Sequence, residues 1–147
     1  QFMKDCVKKI LVEEGIPLWF GADCHPFMDR ENGAWATDLF EYGKLYDFDF
    51  SLDKEERVRF ADSAMNHAMA FAGVDVAEDG STRRWRVENS WGTKIADKGY
   101  FTMSDDWFTE YVYEVAVPKA LLPAEYQAAL EEPAISLPAW DPMGALA

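Results

Sequence analysis

The feature that most constrains the fold is a strand, turn and strand pattern in the middle of the chain. Residues 67–76 contain an apolar run, residues 82–88 form a second and more charged segment, and Asp79-Gly80 lies between them. An Asp-Gly pair favours a tight hairpin turn. The pattern therefore predicts two antiparallel neighbouring strands. Further strands are predicted at residues 18–20, 99–103 and 111–117.

Two polar residues lie at the ends of this hairpin. His67 opens the first strand and Asn89 directly follows the second, so pairing of the strands brings the two together. An imidazole can stabilise a cysteine thiolate, and its second ring nitrogen then needs a fixed acceptor, which an Asn amide oxygen supplies. Trp91 is close enough in sequence to cover that hydrogen bond against water. We predict that His67 and Asn89 are catalytic, with Trp91 in a supporting role. The alternative is a structural histidine in a core strand.

The chain contains two cysteines, and neither suits the role of nucleophile. Cys6 lies on the apolar face of an amphipathic helical pattern, which is typical of a small buried side chain. Cys24 directly precedes His25, and neighbouring side chains of an extended segment point to opposite faces. We therefore expect the nucleophile to lie outside this chain.

Helical periodicity and capping residues predict helices around the strands. The predicted helices span residues 2–14, 53–65 and 123–131, with a brief helical turn capped at 104–106. Gly15 provides a left-handed cap for the first. This order indicates an α+β fold with an antiparallel, barrel-like sheet that closes on itself as its core. We expect three parts: 1–65 with helices, a short strand and an aromatic insertion; 66–118 with the sheet that carries the His and Asn; and 119–147 with a helix and an arm.

The aromatic insertion covers residues 23–50, where the pattern is irregular and rich in Phe, Tyr and Trp. Two alternatives remain open for it. The segment is a long loop held against its own core, or its rings pack on the surface of a neighbouring molecule.

Five segments together match the pattern of one family. They are 17–21 (Pro-Leu-Trp-Phe-Gly), 66–69 (Asn-His-Ala-Met), 73–75 (Gly-Val-Asp), 84–92 (Arg-Trp-Arg-Val-Glu-Asn-Ser-Trp-Gly) and 137–147 (Leu-Pro-Ala-Trp-Asp-Pro-Met-Gly-Ala-Leu-Ala). In these segments the chain resembles the papain-like cysteine peptidases of the bleomycin hydrolase and aminopeptidase C branch. One departure is Asn66, because the family has a small hydroxyl residue before the His.

The resemblance implies that this chain is the C-terminal portion of a papain-like fold, without the upstream half that carries the Cys. It implies a cytoplasmic, homohexameric cysteine aminopeptidase that acts on peptides with a free N-terminus and uses no cofactor. The upstream Cys would attack the first peptide bond, His67 would exchange the proton and Asn89 would orient its ring. The terminal carboxylate of Ala147 would hold the amino group of the substrate.

Composition excludes several other classes of function. The net charge of -13 disfavours binding to nucleic acid and to anionic membrane surfaces. No apolar run approaches the roughly 18 residues that a membrane span needs. Metal sites find no support, since Cys6, Cys24, His25 and His67 do not fall at the spacing of zinc ligands.

Three rival functions remain at this stage. The first is a papain-like endopeptidase that uses its tail differently, and the second is a catalytically inactive binding module that retains the sheet. The third is a self-sufficient hydrolase whose nucleophile is Cys24. Comparison of free and acetylated peptides separates the first rival from an aminopeptidase, and alkylation of Cys24 tests the third.

Overall fold

The first element is a helix that ends where the sequence predicts. The computed structural model of this chain describes residues 1–142. Helix α1 spans Phe2–Lys9 and continues as a π-helical turn over Ile10–Glu14. Gly15 follows in the left-handed conformation, at φ 65°, which confirms the predicted cap. Val7 and Ile10 bury the apolar face of the helix against the core.

A seven-stranded sheet forms the centre of the fold. Its strands are β1 (Leu18–Ala22), β2 (Met28–Asp29), β3 (Ala34–Trp35), β4 (His67–Val76), β5 (Thr82–Glu88), β6 (Tyr100–Ser104) and β7 (Val112–Val115). Their order is β2-β3-β6-β5-β4-β1-β7, so among the described residues β2 and β7 are the edges. The sheet is a curled half-barrel rather than a closed one. All pairs are antiparallel except β3 with β6, which is parallel.

The predicted hairpin is the pair β4 and β5. Its register places Phe71 opposite Val87 and Val74 opposite Trp85, with a bulge between them. The turn is closed by a 2.8 Å hydrogen bond from the Ala77 N–H to the Ser81 carbonyl. Gly80 adopts φ 84° in this turn, a conformation that glycine accepts without strain. The hairpin prediction is confirmed.

Large aromatic rings form the core that packs against the sheet. The largest fully buried aromatic side chains are Trp35, Phe71, Trp85, Phe101, Trp107 and Phe108. Helix α4 (Asp105–Tyr111) contributes two of them, and the Ser104 hydroxyl caps this helix by accepting a hydrogen bond from the Trp107 N–H. Because rings of this size each bury about 150–250 Å², they hold the curled sheet and α4 together as one core.

The remaining helices are short. They are α2 (Tyr42–Tyr46), α3 (Lys54–Arg59), a 3₁₀ turn (Lys119–Leu121) and α5 (Ala124–Ala129). Asp53 and Glu56 form a capping box at the start of α3. The predicted extent of this helix, to residue 65, is wrong. It ends because Ala61 takes φ 56° and the Asp62 N–H donates to the Arg57 carbonyl, which is a Schellman termination.

The aromatic insertion divides between core and surface. Trp35 is fully buried, whereas the rings of Tyr46, Phe48 and Phe50 are more than half exposed. Phe48 and Phe50 contact each other edge to face, with 4.9 Å between ring centroids. The segment is thus held at one end by the core and presents an apolar surface at the other.

Candidate active site

His67 occupies the first position of β4, where the sheet fixes its backbone. It lies opposite Ala22 of β1 in the antiparallel register, and the Asn66 N–H donates to the Ala22 carbonyl at 3.1 Å. The side chain is half-buried. A strand in the interior of a sheet holds a side chain more firmly than a loop does, so the imidazole has a defined position.

The structure brings His67 and Asn89 into contact. The His67 Nε2 atom lies 2.9 Å from the Asn89 Oδ1 atom. The Ser90 backbone N–H donates to the same oxygen at 2.8 Å, so this end of the amide must be the acceptor. The Nε2 atom must therefore carry the proton, and in the neutral ring Nδ1 is the unprotonated nitrogen. Among residues 1–142, no group forms a hydrogen bond with Nδ1.

A close backbone contact places Asn89. Its N–H donates to the Gly99 carbonyl at 3.1 Å, and Gly99 adopts φ 91°. A Cβ atom at Gly99 would lie 3.2 Å from the Gly92 carbonyl oxygen. Only glycine fits both requirements, so Gly99 allows the close approach of the backbone that positions Asn89.

Trp91 covers the imidazole as predicted. Its ring stacks on the His67 ring with centroids 5.2 Å apart and an interplanar angle of 21°. It also contacts Phe101 edge to face, with 5.7 Å between ring centroids. The indole therefore shields one side of the hydrogen bond between His67 and Asn89 from water.

Neither cysteine has the environment of a nucleophile. Cys24 is buried, and burial together with the charge of Asp23 raises its pKa to about 11. Burial also raises the pKa of the Cys6 thiol. A reactive thiol needs a lowered pKa and a nearby cation, yet within the described part of the chain neither sulfur bonds to His67. The expectation that the nucleophile lies outside this chain stays a prediction.

A second histidine forms part of a polar network that the sequence did not indicate. The amide nitrogen of Asn66 donates to the His25 Nδ1 atom at 3.1 Å and to Asp23 at 2.6 Å. The buried Asp23 carboxylate also accepts from Ser63, whose hydroxyl accepts from Tyr113. These residues are far apart in sequence and lie in no recognisable motif, so only the fold reveals the network.

The arm returns to the site at its last described residues. The Met65 N–H, two residues before His67, donates to the Pro142 carbonyl at 3.0 Å. Residues 131–140 are exposed, whereas Asp141 and Pro142 are half-buried at this contact. Ala147, the predicted ligand of the substrate amine, lies outside the described residues.

Residues 1–142 contain neither a metal-binding cluster nor a membrane-spanning helix. No group of three or more His, Cys, Asp or Glu side chains there is arranged to hold a metal ion. In the same range, no helix has the length and apolar character that crossing a membrane requires.

Comparison with known proteins confirms the predicted resemblance. The model of the Peptidase C1-like family matches residues 1–144. The chain is 43% identical over 148 residues to aminopeptidase C of Lactobacillus helveticus, which covers 99% of this chain and 32% of the relative. It is 42% identical over 149 residues to human bleomycin hydrolase, which covers 97% of this chain and 33% of the relative.

A solved structure supports the same assignment at the level of the fold. The crystal structure of PepW from Lactobacillus rhamnosis HN001 is 42% identical, with a TM-score of 0.92 over 99% of this chain and 33% of that one. The predicted α+β fold of the papain-like peptidases is confirmed. The chain spans about a third of the length of the relatives that it matches.

Proposed function

The chain belongs to the Peptidase C1-like family, and on that premise we propose that it is part of a cysteine aminopeptidase that removes N-terminal residues from peptides. The observation that carries the proposal is the hydrogen bond between His67 and Asn89, which fixes the protonated nitrogen of the ring. A cysteine that belongs to the rest of the enzyme supplies the nucleophile. We include in the proposal that the enzyme is a cytoplasmic homohexamer, which rests on the resemblance alone.

The chemistry follows from the tautomer of His67. The free Nδ1 atom takes the proton of the thiol, which gives a thiolate and an imidazolium. The thiolate attacks the first peptide carbonyl, and Nδ1 then gives the proton to the departing amine as an acyl-enzyme forms. In the second half of the reaction Nδ1 removes a proton from water, whose hydroxide releases the acid and the thiol. Asn89 holds Nε2 throughout.

The position of the arm supports removal of N-terminal residues. The Met65 N–H donates to the Pro142 carbonyl, so the arm contacts a residue two positions before His67 and just ahead of β4. Five residues span at most roughly 17 Å, and the resemblance implies that the Ala147 carboxylate lies on the substrate side of the imidazole. We propose that it binds the free amine of the substrate and excludes longer N-terminal extensions.

The test uses a chimaera in which this chain replaces the matching third of the Lactobacillus helveticus aminopeptidase C. The chimaera should release a fluorescent amine from an aminoacyl substrate, and acetylation of the substrate should reduce the rate by about 10- to 100-fold, because a charge-assisted hydrogen bond is lost. The isolated chain, shown to be folded by circular dichroism, should release none. Turnover by the isolated chain that disappears in Cys24→Ser would overturn the proposal.

A second variant of the chimaera tests the arm alone. Two glycines added after Ala147 move the carboxylate away from its proposed position, and the preference for the free amine should fall. The same two glycines added at the N-terminus of the chimaera serve as the control and should leave the preference unchanged. An unaltered preference in the first variant would refute the role of Ala147 while leaving the roles of His67 and Asn89 intact.

A further inference from the structure

Trp91 has a contact that the proposed chemistry does not use. The guanidinium carbon of Arg30 lies 5.0 Å from the centroid of the Trp91 ring. Because Trp91 stacks in turn on His67, Arg30, Trp91 and His67 form a connected series that ends at Asn89. Arg30 itself is exposed and lies 37 positions before His67.

The turn that carries Arg30 is fixed by its own hydrogen bonds. It connects β2 to β3, and the Asn32 backbone N–H and side-chain amide both donate to the Asp29 carboxylate, at 3.0 and 2.8 Å. The Gly33 N–H donates to the Asp29 carbonyl at 2.9 Å. These bonds to the charged form also lower the pKa of the Asp29 carboxyl. The turn therefore presents Arg30 in a defined place.

The same turn is pressed against the segment that follows Trp91. Gly33 adopts φ 72°, and a Cβ atom there would lie only 2.3 Å from the Ala96 Cβ atom. The Gly33 carbonyl accepts from the Thr102 N–H at 2.8 Å, in the parallel pair of β3 and β6. Both the Arg30 turn and the Trp91 loop are thus held on the same part of the sheet, and their contact is a product of the fold.

We propose that Arg30 is a positioning residue for His67, acting through Trp91. A guanidinium over an indole face is attracted by the negative charge of the ring face. This attraction keeps Trp91 flat on the imidazole, so that water does not compete for the bond between His67 and Asn89. The inference rests on the proposed function, because the position of His67 matters to chemistry only if His67 is catalytic.

The test measures how well Arg30 and Trp91 protect His67 in the isolated chain, and it needs no enzyme turnover. The chain has only two histidines, and both are held with the proton on Nε2, because the His25 Nδ1 atom accepts from Asn66. With ¹⁵N-labelled imidazoles, the exchange of the His67 Nε2–H with water is measured, and the exposed His25 is an internal reference. The variants are Arg30→Ala and Arg30→Lys, with Glu31→Ala as the matched control in the same exposed turn.

Arg30→Ala should speed the exchange of the His67 Nε2–H by about three- to fivefold, because one cation–π contact is lost. Arg30→Lys, which keeps a cation over the ring, should restore most of the protection, and Glu31→Ala should change nothing. Equal exchange rates in Arg30→Ala and in the parent chain would overturn the inference, as would an equal effect of Glu31→Ala. Failure of the proposed function would appear separately, as an active His67→Ala chimaera.

Discussion

The molecule contains two pairs of a histidine and an asparagine, and they are built in opposite ways. Asn89 presents its oxygen to the Nε2 atom of His67, whereas Asn66 presents its nitrogen to the Nδ1 atom of His25. Each amide orientation is fixed by a backbone N–H, that of Ser90 on Asn89 and that of Cys24 on Asn66. His67 is stacked under Trp91, whereas the His25 side chain is 74% exposed.

The difference shows what makes an imidazole useful for proton transfer. In the His67 pair the Nδ1 atom has no partner among residues 1–142, so it can take and release a proton while Asn89 keeps the ring in place. In the His25 pair Nδ1 is already occupied as an acceptor, and a proton placed there would break its bond with Asn66. The same two residue types thus leave an Nδ1 atom available for the proposed proton transfer in one place and form a surface hydrogen bond in the other.

The largest expected effect comes from removing each imidazole in turn. His67→Ala in the chimaera should reduce turnover by about 10²- to 10⁴-fold, the usual contribution of general acid–base catalysis. His25→Ala should leave turnover within about twofold of the parent, since surface substitutions of this kind change little. Steady-state rates on the free-amine substrate give both values. Comparable losses in the two variants would remove the distinction between the pairs.

The next effect concerns Cys24, which lies beside the His25 pair. Its pKa of about 11 predicts alkylation by iodoacetamide at pH 8 that is about 100-fold slower than for an ordinary thiol, because so little thiolate is present. Between about pH 9 and 11 the thiol ionises only in the unfolded chain, so the free energy of unfolding should decrease as the pH rises through this window. Rapid labelling of Cys24 in the folded chain, measured in Cys6→Ser by mass spectrometry, would contradict this.

Short sequence patterns made the contact of His67 with Asn89 predictable, whereas other parts of the fold and site have no such pattern. The hairpin depends on Asp79-Gly80 and on two nearby strands, and so can be deduced from adjacent residues. The end of α3 could not be predicted in this way, because Ala61 adopts the left-handed conformation that usually marks a glycine at the end of a helix. The parallel pairing of β3 with β6 and the contact of Arg30 with Trp91 join segments that are distant in sequence, and no short pattern encodes either.

Replacing each of the two asparagines with alanine should separate an effect on catalysis from an effect on stability. Asn89→Ala in the chimaera should lower turnover by about 10- to 100-fold, because a bond to a charged imidazole is lost in the reaction. Asn66→Ala should instead lower the free energy of unfolding of the chain by about 1–2 kcal/mol, because the buried Asp23 and the Cys24 N–H lose a partner. Urea denaturation and turnover are measured on both variants. A turnover loss confined to Asn66→Ala would reverse the assignment.

The smallest effect should come from the indole that distinguishes the two pairs. Trp91→Ala in the chimaera should reduce turnover by about three- to tenfold, the range expected for one lost aromatic contact. Trp91→Phe keeps a ring over His67 and should stay within about twofold of the parent. Trp19 is a matched control, because it is 63% exposed on β1. If Trp19→Ala lowers turnover as much as Trp91→Ala, the loss reflects stability and not the cover over His67. The two histidines would then differ only in whether the asparagine offers its amide oxygen or its amide nitrogen to the ring.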